Sequence, residues 1–230
     1  MFAPAYLHGE QKTKKHMKNQ FNNYSGSALI TGAAIMTVTM VMHPTGGSLE
    51  HLRRISSMII ITHSLAILSI PVTLFGLWGL TKKLSADNSW SIGAFITMCM
   101  GMFAVLLAAA VNGLALPFFI SRYHETTPEM ANSLSLLLTY NMSLNHAFDY
   151  IFIGDVCIAI SLWSVVIIKT HSFPKWAGYL GLITCVLVIA GFIAGFIFVD
   201  LTGFRVFIAG LVVWMVIVGF LLKRAERRVI

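Results

Sequence analysis

Six apolar runs limit what this chain can fold into. They cover about residues 25–42, 58–80, 90–120, 131–168, 176–199 and 204–222, and about 20 apolar residues suffice for a helix to cross the ~30 Å hydrocarbon layer. Inside a bilayer each backbone N–H and C=O needs a partner within the protein, so runs of this length are helical. The expected fold class is all-α: a polytopic membrane protein built as a bundle of six transmembrane helices. Composition agrees, since 57% of the 230 residues are hydrophobic and only 11% charged, far from the usage of a soluble domain. The division that follows is an N-terminal tail over 1–24, a transmembrane domain over 25–222 and a basic C-terminal tail over 223–230.

Breakers and loops punctuate the runs. The sequence His43-Pro44-Thr45-Gly46-Gly47 ends the first, because Pro and paired Gly cannot continue a helix. Glu50, His51, Arg53 and Arg54 form a short amphipathic turn before the second run, which Pro71 is expected to kink. About twenty polar residues, including Lys12, Lys14, Lys15 and Lys18, precede the first run, so no cleavable leader is expected.

The net charge of +7 has a topological reading. Twelve basic residues fall in the two tails and in the loops holding Lys82, Lys83, Lys169 and Lys175, whereas only Arg53, Arg54, Arg122 and Arg205 fall on the other side. That asymmetry puts both termini in the cytoplasm. It also removes nucleic acid as a partner, because the basic residues are short clusters between spans. Trp78, Trp90 and Trp176 lie beside the inner loops, as an interfacial belt requires. Cys99, Cys157 and Cys185 each sit inside an apolar run without Cys-x-x-Cys spacing and read as small buried hydrophobes.

The fourth run, 131–168, carries the chain's densest intramembrane polar set. At roughly 100° per residue, Asn141, Asn145, Asp149, Phe152 and Asp155 share one face, with His146 on its flank. A carboxylate at membrane depth costs at least ~2.5 kcal/mol, so both acids call for partners or a watered cavity. The third and fourth runs exceed one membrane thickness and overrun at the outer side. Asn112, Asn141, Asn145, His146 and Asp149 therefore lie near the outer interface, level with His63 on the second run, while Asp155 lies deeper. The expected pocket opens outward between the second, third and fourth helices. Gly191 and Gly195 form a G-x-x-x-G pair, a pattern that can serve a homo-oligomer but more often packs helices within one chain.

Residues 171–181, His-Ser-Phe-Pro-Lys-Trp-Ala-Gly-Tyr-Leu-Gly, resemble a turn in uncharacterised six-span bacterial inner-membrane proteins. There a Phe-Pro-x-Trp-like turn leads into the fifth span and the preceding helix is long and polar at its start. The resemblance implies the same architecture and no activity; in a bacterium, the expected location is the inner (cytoplasmic) membrane.

Three chemistries are open at the polar face. The first is a ligand-binding or transport pocket formed by His63, Asn112, Asn141, Asn145, His146, Asp149 and Asp155, taking a small polar solute, a lipid head group or a proton. The second is electron transfer on haem b held by His63 and His146 from two helices, with Arg53, Arg54 or Arg122 for the propionates. The third is a metal-dependent membrane enzyme using His63, His146 and Asp149 as ligands, although no H-E-x-x-H or nucleophile motif accompanies them. A face meeting another membrane subunit is the structural alternative. The lipid bilayer is a partner in every case.

Overall fold

A computed structural model describes residues 4–86, 88–123, 127–170 and 172–224. The helices are α1 (Pro4–Met42), α2 (Leu49–Arg54), α3 (Ser56–Ser85), α4 (Trp90–Ala108), α5 (Leu116–Ile120), α6 (Pro128–Thr170), α7 (Lys175–Ile193) and α8 (Leu201–Arg224), with a π-helical stretch over Ala109–Ala115 joining α4 to α5. Six spans are long and apolar enough to cross a membrane: Asn19–Met42, Ser56–Ser85, Trp90–Ile120, Glu129–Thr170, Lys175–Ile193 and Leu201–Arg224. The chain is an integral, multi-pass membrane protein of all-α class. His124, Glu125, His171 and residues 225–230 lie outside the described residues.

Packing runs round the bundle in chain order. α1 packs on α3, α3 on α4 and its π stretch, α4 on α6, α6 on α7, α7 on α8, and α8 returns to α1. Because lipid tails are as apolar as the side chains, close fit rather than hydrophobicity drives such contacts. Small residues supply the fit. Ser25 sits over Gly79, Thr73 sits over Gly32, and a methyl on Gly76 would fall 2.8 Å from the Leu29 backbone nitrogen. On the other flank of α1, a methyl on Gly219 would fall 2.8 Å from the Gly26 carbonyl oxygen, again backbone against backbone. Trp163 and Trp214 are wholly buried and stacked, with ring centroids 6.1 Å apart.

Two expected boundaries move. Helix begins at Pro4, inside the stretch assigned to the tail, and the span reaches back to Asn19, with Asn22 and Ser25 buried. The fifth span, expected to reach 199, stops at Ile193. Gly195 adopts φ +81°, its N–H bonds the Phe192 carbonyl at 3.0 Å, and the Phe196 N–H bonds the Gly191 carbonyl at 2.8 Å. That pair of bonds is a Schellman motif, which closes a helix on a left-handed glycine. Gly191 and Gly195 therefore form no continuous helical face for a second copy. A methyl on Gly191 would fall 2.7 Å from the Phe198 ring of the same chain, and Gly195 meets nothing.

The short turn read at Glu50–Arg54 is helix α2, capped by Ser48, whose hydroxyl accepts from the His51 N–H at 3.3 Å. Trp78, Trp90 and Trp176 are all exposed, as belt residues should be. Lys82 lies over the Trp78 ring, 5.5 Å from its centroid.

Candidate functional site

The end of the bundle that the charge count places outward gathers the polar residues. Asn112 lies in the π-helical stretch. A π turn admits an extra residue, and such turns recur at functional sites. Its side-chain Nδ2 donates to the Ala108 carbonyl at 3.2 Å, satisfying a backbone acceptor next to the start of that stretch.

Asn112 also joins α4 to α6. The Asn141 Nδ2 donates to the Asn112 Oδ1, the Asn112 Nδ2 donates to the Asn145 Oδ1, and the Asn145 Nδ2 donates to Asp149 Oδ2 at 2.7 Å. With Asp149 ionised, the direction of this chain is fixed. An ionised carboxylate only accepts, so Asn145 must turn its NH₂ toward Asp149. Its oxygen then faces Asn112, which in turn presents its own oxygen to Asn141. The chain runs from half-buried Asn141 to Asp149, which is only 7% exposed. Asp149 Oδ1 makes no hydrogen bond among the described residues.

His63 sits at the same level on α3. A side chain on Gly113, next to Asn112, would overlap the Cβ and ring of His63; glycine there is what lets α3 approach the π stretch. His63 Nδ1 lies 2.8 Å from the Ile59 carbonyl, a bond that makes Nδ1 the protonated nitrogen and leaves Nε2 with a free lone pair. The ring facing it is His43, at a centroid distance of 4.9 Å and an interplanar angle of 58°. His43 Nδ1 lies 3.0 Å from the Pro44 carbonyl, so its Nε2 is free as well. Burial first, then His63, holds the His43 imidazole down to about 4, and the ring is neutral in ordinary conditions. Arg205 of α8 fixes this corner by donating to the His43 carbonyl at 3.0 Å and to the Met40 carbonyl at 3.1 Å.

His146 and Asp155 stand apart from this group. His146 is half-buried and makes no hydrogen bond or ring contact among the described residues; Asp149 takes its bond from Asn145 instead. Asp155 is half-buried, with its Cβ against Gly101 of α4, where an added methyl would fall 2.9 Å away. Its carboxylate has no hydrogen-bond partner among the described residues. No group of three or more His, Cys, Asp or Glu that could hold a metal occurs among the described residues, so His63, His146 and Asp149 are not brought together as a three-ligand set.

Beneath the polar layer, at the centre of the bundle, lies an apolar cavity of about 50 Å³ lined chiefly by Met36, Met40, Ile70, Met102, Phe152 and Phe204. Its two hydroxyls are spent on their own helices: Thr39 donates to the Ile35 carbonyl at 2.9 Å and Ser69 to the Ala66 carbonyl at 2.7 Å. Phe152 follows Asp149 by one helical turn, and Ser69 and Ile70 follow His63 by two. The open space is thus one to two turns deeper than the polar residues and reaches α1 and α8 as well as α3, α4 and α6.

Sequence reasoning missed His43 and Arg205 as parts of the site. His43 follows the last residue of α1 and precedes a proline, so it read as a helix stop; its position at the outer end, level with His63, was the available signal. No family model, no curated protein and no solved structure matches the chain.

Proposed function

We propose that this protein binds, and passes inward or senses, a small cationic or hydrogen-bond-donating solute at Asp149, the proton being the smallest such ligand. The observation that carries this reading is the directional amide chain Asn141–Asn112–Asn145–Asp149, which ends on a buried carboxylate with one oxygen unused. Ionisable groups placed within spans mark ligand or proton pathways by default. The amides hold the carboxylate in one orientation, and their alignment puts an acceptor, not a donor, at the buried end. A donor or cation complements such an end; an anion does not. The bacterial inner membrane, with both termini cytoplasmic, is the proposed location, which places Asn141 toward the outside.

The test uses full-length protein in detergent and a panel of small cations, amines and polyols, read as shifts in thermal midpoint. At least one solute, or a change of pH, is expected to shift the wild-type protein and to lose that effect in Asp149→Asn. If no solute shifts the wild type, or if Asp149→Asn retains every shift, the amide chain is a clamp between α4 and α6 and the reading is abandoned.

A further inference from the structure

We propose that His43 and His63 form a two-imidazole seat for one tetrahedral d¹⁰ cation, Cu(I) or Zn(II), at the outer mouth of the bundle. Each ring already has the arrangement seen in metal-bound histidines, where the nitrogen that does not touch the metal donates to a carbonyl and fixes the tautomer. The Ile59 carbonyl does this for His63 at 2.8 Å and the Pro44 carbonyl for His43 at 3.0 Å. Both Nε2 atoms are left as bases without a partner among the described residues.

The spacing agrees. A metal-bound imidazole nitrogen lies about 2.0–2.1 Å from zinc, which puts the ring centre roughly 3.2 Å from the ion and, at the tetrahedral angle, two ring centres about 5 Å apart. The observed separation is 4.9 Å, with the rings tilted by 58° rather than stacked. One ligand follows the end of α1 and the other lies on α3, and Arg205 and Gly113 hold them in place. With two protein ligands only, the ion keeps open positions, so it exchanges or takes an external ligand rather than serving as a structural staple. The nearby Arg205 guanidinium favours the singly charged Cu(I).

This seat does not depend on Asp149 or on the amide chain. Chelator-treated full-length protein would be titrated separately with Cu(I) and with Zn(II) against a competing chromophoric chelator, with metal content after gel filtration as a second readout. The expected result is a single ion of one kind per chain, with affinity weakened by at least about tenfold in both His43→Gln and His63→Gln and unchanged in His146→Gln. Glutamine keeps size and polarity, and an unaltered gel-filtration profile shows that each variant folds. The proposal is overturned if neither ion binds stoichiometrically, if either glutamine variant at position 43 or 63 binds like wild type, or if His146→Gln abolishes binding.

Discussion

Arg205 reaches across from α8 to donate to the carbonyl of His43 at 3.0 Å, and its Nε takes the carbonyl of Met40 at 3.1 Å. The last carbonyls of α1 have no partner within their own helix, and a cation at that end also complements the helix dipole. Arg205→Ala is expected to lower stability by about 1 kcal/mol, and Arg205→Lys to recover only part of it, because an ammonium lacks the planar fork that meets two carbonyls at once. Thermal unfolding of the two variants in detergent checks the order. Equal stability of the lysine variant and wild type would count against a forked contact.

Asn112 is the joint of the amide chain, donating once and accepting once between helices. Asn112→Ala removes both bonds and leaves Asn141 and Asn145 without their partners, at a cost of about 1–3 kcal/mol. A double-mutant cycle with Asn145→Ala should give a coupling of roughly 0.6–1.7 kcal/mol, the range of interhelical bonds in membrane bundles. Strict additivity would show that the two amides act separately.

Gly113 and Gly154 make an internal comparison. A methyl on Gly113 would overlap His63, whereas nothing lies within 4 Å of the position a methyl would take on Gly154. Gly113→Ala should therefore destabilise by about 1–3 kcal/mol through overpacking, and Gly154→Ala should be neutral or mildly stabilising through helix propensity. Denaturation midpoints of the pair, measured side by side, decide this.

Asp155 is half-buried without a hydrogen-bond partner among the described residues, and a charge so placed costs stability. Asp155→Asn is expected to raise the unfolding free energy by up to about 2.5 kcal/mol. A clear loss of stability instead would mean that the carboxylate has a partner in the membrane, such as another subunit.

Much of the fold was legible in the sequence because a bilayer allows so few solutions. The apolar runs marked the helices to within a few residues at most ends, and helical spacing put Asn141, Asn145, Asp149 and Phe152 on the face that meets α4. The misses share a cause: they depend on contacts between segments. Residues 194–199 are as apolar as a helix, and only the left-handed Gly195 stops α7 there. The π stretch that presents Asn112 has no periodic signature, since one inserted residue in a uniformly apolar run changes no pattern. His63 was read as level with Asn112, and its ring partner is His43, brought to it by the packing of α1 on α3.

The seam between α1 and α8, where Gly26 meets Gly219 and Lys223 donates to the Ser27 hydroxyl at 3.0 Å, joins the first and the sixth spans. During biosynthesis the first five spans can assemble only as an open arc, one flank of α1 facing lipid or the insertion machinery until the sixth arrives. A chain without residues 201–224 would lose that seam and the Arg205 hold on the His43 carbonyl together, so closing the arc and fixing the His43 corner are one event.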